Sequence, residues 1–269
     1  MRVVTFNLWS GRSLPARRRQ PADGEPSRRG RRSRAVDLDL LRAAVTELDP
    51  DVLALQEVDR RQSRSQHADL AEVAAEAMGA TEFRFVPTLA GTPGALWSLS
   101  GPAHRATGEY GIALLSRLPI TRWQELPLPA LRPSFKVLVP VLRQHLTVGE
   151  EPRAAVIAHL ETPVGPLAVV NTHLTWVPGS GVRQLQQVTR ALSELPDPVL
   201  LVGDFNMWGP LPRMITGYRP LAQHATYPAA KPNRQLDHIL LRGSGPDVAA
   251  TRAVRLAVSD HLALVVDLA

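Results

Sequence analysis

Residues 199–202 are Val199, Leu200, Leu201 and Val202, and the run stops at Gly203, Asp204, Phe205 and Asn206. A short unbroken apolar run that ends in turn residues reads as a strand buried on both faces. Such a strand demands a packed layer above it and another below. Gly203 permits a sharp turn at the strand end. Asp204 and Asn206 are two apart, so both are able to project into one cleft at the sheet's edge. A carboxylate beside an amide suits the handling of a water molecule and a phosphate oxygen. The same residue types also make an ordinary strand-turn, so this stretch alone leaves the choice open.

The rest of the chain supplies partners for that strand. Residues 2–8 read as a strand rich in β-branched and aromatic side chains. Leu38, Leu41, Val45 and Leu48 recur at helical spacing, with Asp37 and Asp39 at the start and Asp49-Pro50 as the stop. Residues 51–56 read as a buried strand ending at Glu57, and residues 68–78 as a helix closed by Gly79. Residues 82–86 form a short strand and residues 87–108 a long loop. Residues 110–116 are a strand with which residues 120–126 pair. Residues 131–148 read either as two strands or as a helix broken at Pro140. Residues 154–160 and 167–174 make a hairpin, residues 182–195 a helix, and residues 235–241 and 262–268 the last strands. No repeat and no linker divides the chain, so residues 1–269 are expected to form a single domain.

Charge is concentrated in one place. The net charge is +6, but nine arginines lie between Arg12 and Arg34, opposed only by Asp23 and Glu25. That segment carries +7, so the remainder stands at −1. The segment lacks apolar periodicity and contains Pro15, Pro21 and Pro26, so it reads as a mobile insertion at about residues 10–34. Cysteine is absent, which excludes disulfides and thiolate chemistry and restricts any metal to oxygen or imidazole ligands. With no signal peptide pattern and no apolar run approaching the roughly 18 residues of a span, the expected location is cytoplasmic. Nothing in the sequence points to a protein partner, and a monomer is expected.

Several apolar runs share one ending: a polar or ionisable residue. These are Asn7, Glu57 after Gln56, Asn171 with His173, Asp204 with Asn206, Asp237-His238 and Asp260-His261. The chain has four asparagines, and three of them stand at such ends. Strand ends at one edge of a sheet converge on a shared crevice. Glu57 and Asp260 are hard oxygen ligands suited to magnesium or manganese. Asp204 and the histidines are able to move protons, and Asp237 is able to hold an imidazole in one tautomer. His238 follows a candidate acid, but strand alternation turns it to the other face, so it reads as structural. Together these are the parts for metal-assisted phosphoester hydrolysis.

Thr5-Phe6-Asn7, Leu55-Gln56-Glu57, Tyr110 through Ser116, Asn171-Thr172-His173-Leu174, Gly203-Asp204-Phe205-Asn206, Leu236-Asp237-His238 and Ser259-Asp260-His261 resemble the successive motifs of the endonuclease/exonuclease/phosphatase superfamily. The resemblance runs in that family's order from Thr5 to His261. It implies an α/β fold, a four-layer sandwich of two packed β-sheets flanked by helices, and a hydrolase using Mg2+ or Mn2+. It further implies Glu57 as main metal ligand with Asn7 and Asp260 close by. Asp204 would orient or deprotonate water, with Asn206 fixing Asp204 or a phosphate oxygen. His261, paired with Asp237, would bind the scissile phosphate; Asn7 and His173 would be further phosphate contacts, with His173 also a candidate proton donor. Glu109 would orient His173, as an acid does in some members.

Two positions bear on the branch. Abasic-site endonucleases of this family usually carry tyrosine where this chain has His173, and many carry tryptophan where it has Arg234. The pattern looks more like the deoxyribonuclease and sphingomyelinase branches. Trp9, Trp176 and Trp208 each follow a site motif by two or three residues and would form an aromatic rim for a base or an apolar group. A nuclease-like phosphodiesterase is the leading expectation. A phospholipid or small-molecule phosphodiesterase or phosphatase is the alternative. A nucleic-acid-binding module using the arginine-rich loop is the reading from another class; under it, deleting residues 13–32 abolishes nucleic-acid binding in a salt-dependent filter assay.

Overall fold

Two β-sheets stand face to face, and each is covered by helices on its outer side. The computed structural model describes residues 1–13, 36–92, 96–99, 108–130, 135–139, 144–148, 150–163 and 165–269, without side-chain detail at 92–100 and 131–149. In chain order the elements are β1 (Arg2–Asn7), α1 (Leu38–Leu48), β2 (Val52–Arg60), α2 (Leu70–Met78), β3 (Glu82–Thr92), β4 (Leu96–Leu99), β5 (Glu109–Ser116), β6 (Ile120–Leu128), β7 (Phe135–Val139) and β8 (Gln144–Val148). They continue with β9 (Arg153–Thr162), β10 (Gly165–His173), α3 (Ser180–Leu192), β11 (Val199–Asp204), α4 (Leu211–Thr216), β12 (Arg219–Pro220), β13 (Asp237–Arg242), β14 (Val248–Val254) and β15 (Ala263–Leu268). A seven-stranded mixed sheet has the order β14-β15-β1-β2-β5-β3-β4, and a six-stranded mixed sheet has the order β12-β13-β11-β10-β9-β6. Among the described residues β7 and β8 pair only with each other.

The layering follows from the doubly apolar strands. Val3, Ala54 and Leu114 of one sheet meet Val156, Val169 and Val202 of the other between the sheets. Their sequence neighbours Val4, Leu53 and Leu115 face the opposite way, against Leu41, Val45, Leu70 and Ala74 of α1 and α2. On the far side, Ile157, Val170 and Leu201 pack on Leu185, Val188 and Leu192 of α3. Successive residues of a strand point to opposite faces, so a run such as Val199 to Val202 has to be apolar throughout. The expected four-layer α/β sandwich is therefore what forms. Asp37 caps α1 by accepting hydrogen bonds from Asp39 N and Leu40 N at 3.1 and 3.2 Å.

Several local expectations need correction. β2 does not end at Glu57 but runs on to Arg60 through a bulge, with its register to β5 shifting between Leu55 and Val58. Glu57 sits in that bulge at φ +54°, which re-aims its side chain. β3 continues past Pro87 to Thr92 and pairs with β4, where a loop was expected. Residues 120–128 pair with β9 in the other sheet and not with β5, so the chain changes sheets at Arg117–Pro119. Of the two readings for residues 131–148, the strand pair is the one observed. Gly203 lies inside β11 rather than at a turn. Its φ is +139°, and a Cβ there would stand 1.9 Å from the Thr172 carbonyl oxygen, so close backbone approach is what requires glycine. The turn comes at Asn206, with φ +51°. α4, β12 and β14 were not read from the sequence. The arginine-rich insertion falls mainly at residues 14–35, outside the described residues. Among the described residues no helix is long and apolar enough to cross a membrane.

Asn171 joins the two sheets where the bulge breaks the ladder. Its Nδ2 donates to Leu55 O at 2.9 Å and Ala113 O at 2.8 Å, both in the opposite sheet. Its Oδ1 accepts from Gln56 Nε2 at 2.7 Å. All four residues are buried, and buried carbonyls left without a donor are costly. Asn171→Leu is expected to lower unfolding free energy by about 2–4 kcal/mol in urea titration; a loss within about 0.5 kcal/mol would show that the amide is dispensable.

Candidate active site

The two sheets bring their ends together at one cleft. In the six-stranded sheet, His173 of β10, Asp204 of β11 and Asp237 of β13 are direct cross-strand partners, forming one row. In the seven-stranded sheet, Asn7 pairs with Gln56, which sets Asn7 beside the bulge residue Glu57. The turn before β15 carries Asp260 and His261. It is tied down by Ser259, whose Oγ donates to Asn7 O at 2.5 Å and accepts from His261 N at 2.9 Å.

Asn7 links the two walls: its Nδ2 donates to Glu57 Oε1 at 3.2 Å and to Asp204 Oδ2 at 2.9 Å. Asp204 is 1% exposed. Its Oδ1 accepts from Asn206 N at 2.8 Å. Its Oδ2 lies 3.7 Å from His173 Nε2 and 3.9 Å from His261 Nε2. His261 Nδ1 donates to Asp237 Oδ2 at 2.9 Å. A cleft of about 560 Å³ opens over these groups, lined among others by Glu57, His173, Asp204, Asn206, Asp260 and His261. Asn7 and Asp237 stand behind this lining and act through their hydrogen bonds.

The electrostatics of the two histidines differ. Burial opposes a charged imidazole at His261, but the carboxylates of Asp237, Asp204 and Asp260 outweigh it and raise its pKa to about 10. Burial, reinforced by the Arg153 and His261 charges, holds His173 well below the ordinary imidazole range. Asp204 is raised by burial and then by the Asp237 carboxylate. Glu57 is raised by burial, against the hydrogen bond from Asn7, and Asp260 is raised by burial as well.

The donor set fits a divalent ion. Asp204, Asp237 and His261 offer donor atoms within 4.8 Å of one another, a spacing that one ion is able to bridge only if His261 gives up the proton that its neighbouring carboxylates favour. Glu57 and Asp260 add hard oxygens on the cleft wall. The Asp260 carboxylate disfavours the charge of Glu57, and a dication relieves that repulsion.

Most of the expected site residues are brought together; two departures stand out. Glu109 does not orient His173. Its Oε2 accepts from Arg60 Nε at 2.8 Å, in an ion pair of which only the carboxylate is buried. His173 Nδ1 instead meets Arg153 Nη1 at 3.2 Å. Sequence reading missed Arg153, and also Tyr110, Glu151, Tyr227 and Arg234, all of which line the cleft. The signal was available: Arg153 and Tyr110 lie at the starts of strands β9 and β5. A strand antiparallel to one that ends at the site begins there. His238 points away, donating from Nε2 to Met207 O at 2.8 Å and stacking on Phe205, so its structural reading stands. Trp9, Trp176 and Trp208 line the cleft mouth. Trp176 and Trp208 are 51% and 58% exposed; Arg234 lies over Trp208 at 4.7 Å and Arg12 over Trp9 at 5.3 Å.

A two-sheet α/β sandwich with a buried carboxylate–imidazole cluster at one end is the form shared by a family of metal-dependent phosphoesterases. The chain belongs to the endonuclease/exonuclease/phosphatase family, whose model matches residues 4–261. An endonuclease/exonuclease/phosphatase from Beutenbergia cavernae DSM 12333 has the same fold, with TM-score 0.64 and 22% identity over 99% of this chain and 70% of that one. D. rerio TDP2 complexed with single-strand DNA product superposes with TM-score 0.59 and 13% identity over 99% and 97% of the two chains. A Bacteroides thetaiotaomicron VPI-5482 mannosyl-6-phosphatase does so with TM-score 0.57 and 16% identity over 100% and 99%. A search of curated protein sequences returned no match.

The pairing of His261 with Asp237 has a direct consequence. In Asp237→Asn the His261 pKa is expected to fall by about 1–3 pH units, followed by histidine NMR titration in the presence of chelator. An unchanged titration would mean that Asp237 does not hold the imidazolium.

Proposed function

We propose that this protein is a divalent-metal-dependent phosphodiesterase, nuclease-like in substrate and closer to the deoxyribonuclease and sphingomyelinase branches than to the abasic-site branch. The observation that carries the reading is the position of Asp204 Oδ2, held by Asn7 and facing both His173 Nε2 and His261 Nε2. A carboxylate so fixed is a base aimed at a water beside a phosphoryl group.

Each residue then has a task. Glu57 and Asp260, with Asn7 beside them, would hold Mg2+ or Mn2+. The bound ion supplies positive charge against the phosphoryl oxygens. Asp204 accepts a proton from the attacking water; its raised proton affinity suits that role. Asn206 keeps Asp204 Oδ1 occupied through its backbone N–H. His261, charged and tied to Asp237, pairs with a phosphoryl oxygen as charge develops there. His173 supplies a second donor across the cleft.

The rim supports the substrate reading. Trp208 and Trp9 are each backed by an arginine, which suits them to stack a base beside a phosphate. Arg234, which replaces the tryptophan common in the abasic-site branch, serves here as the backing cation. A lipid phosphodiester is the second reading, favoured by the exposed side chains of Leu211 and Met214 following Trp208.

Asp204→Asn is expected to lower kcat on a chromogenic diester by about 10²–10⁴-fold with Mg2+ or Mn2+, leaving the thermal transition cooperative. Chelation removes the parent's activity and added metal restores it. A panel of single- and double-stranded DNA, RNA and sphingomyelin vesicles separates the two substrate readings, and no turnover of any phosphoester with metal bound would overturn both.

A further inference from the structure

Apolar side chains reach solvent mainly at one place. Among the described residues the large apolar side chains left exposed are Phe83, Trp176, Trp208, Leu211 and Met214. All but Phe83 lie on the two connections that follow β10 and β11, which are neighbours in the sheet. Trp176 and Trp208 line the cleft. The run Trp208-Gly209-Pro210-Leu211 is exposed throughout, and so are Pro178 and Gly179 after Trp176. Leu211 and Met214 are three apart on α4 and so share a face. The two connections touch: a Cβ on Gly181 would stand 2.7 Å from Thr175 O and 3.3 Å from Met207 Cε. They form one lip beside the cleft.

The lip is also basic. Residues 174–193 and 205–236 contain Arg183, Arg190, Arg213, Arg219, Lys231 and Arg234 and no acid. Outside these stretches and the arginine-rich segment, the chain carries −7. Arg213, Lys231 and Arg234 are exposed, and Arg234 lies over Trp208 at 4.7 Å.

We propose that this lip is a membrane-docking surface: Trp176, Trp208, Leu211 and Met214 enter the interface of an anionic bilayer, and Arg213, Lys231 and Arg234 meet its lipid phosphates. The docking rests on neither substrate reading. Where it holds, the cleft mouth faces a surface of phosphodiesters, which deepens the second of them.

The make-up of the lip favours a bilayer over other occupants. A stable protein interface uses about 20–30 residues a side, and the lip offers four apolar ones. Single-stranded nucleic acid would use the tryptophans and the cations. It has no use for Met214, 75% exposed, or Leu211, which provide neither a face for a base nor a hydrogen bond. A bilayer interface takes all three kinds of side chain. Tryptophan settles at the headgroup level, aliphatic groups insert shallowly, and lysine and arginine are drawn to anionic lipid.

The test uses the full-length protein and vesicles of phosphatidylcholine, with and without phosphatidylglycerol. Bromine on the acyl chains quenches a tryptophan that enters the bilayer. The protein is expected to pellet with the phosphatidylglycerol vesicles, and its tryptophan emission to be quenched by brominated chains in the parent but not in W176F/W208F. L211E/M214E is expected to lower the vesicle partition coefficient by at least about tenfold and to leave turnover of a soluble chromogenic diester unchanged. Pelleting without quenching is adsorption through the arginine-rich segment, and it overturns the proposal even if the variants fail to fold. So does an unchanged partition coefficient in folded L211E/M214E. A dimer in light scattering that this variant disperses overturns it in favour of a second copy. Single-stranded DNA binding lost in the variant, with no vesicle binding by the parent, overturns it in favour of nucleic acid. Failed docking with phosphoester turnover intact leaves the phosphodiesterase reading in place. Docking without turnover of any phosphoester removes that reading and leaves the surface.

Discussion

The site depends on a break in a β-ladder and on the amide that repairs it. One extra residue in β2 shifts its register with β5 between Leu55 and Val58. The bulge turns Glu57 out of the strand's alternation and interrupts the ladder beside the cleft. Asn171, from the other sheet, donates to the carbonyls of Leu55 and Ala113 at that break. The same contact fixes the distance and register between the sheets at the end where their polar residues meet. A fold joined only by aliphatic packing would leave that separation to side-chain volume. Here directional hydrogen bonds set it, two residues before His173.

With the sheets fixed, the cleft divides into two walls. One carries Glu57 and Asp260, carboxylates whose proton affinity burial raises. The other carries the row His173, Asp204 and Asp237, with His261 bonded to Asp237. Asn7 reaches both walls through a single amide nitrogen. A phosphoryl group between the walls would meet a cation on one side and a base with two imidazoles on the other.

How much of this the sequence disclosed depends on where the information lies. Strands buried on both faces wrote themselves as apolar runs, so β1, β10, β11 and β15 were legible, and with them the layers and the site residues at their ends. Glu57 was found but its setting was not, because a bulge is a relation between β2 and β5 and neither strand records it alone. The pairing of β6 with β9 was hidden for the same reason: sequence adjacency favoured β5. Gly203 read as a turn residue, whereas the reason for glycine lies in the carbonyl of Thr172, over thirty residues earlier. Arg153 escaped because attention to strand ends overlooks antiparallel partners, which enter at the edge where their neighbours leave. Glu109 was assigned to His173 on resemblance, and the nearer Arg60 claims it.

The central claim is the division of the cleft into a metal wall and an imidazole–carboxylate wall. Anomalous diffraction from crystals soaked in manganese tests it most directly. The account predicts a peak in contact with Glu57 and Asp260 that disappears in Glu57→Gln. A peak seated among Asp204, Asp237 and His261, with none at Glu57, would contradict it.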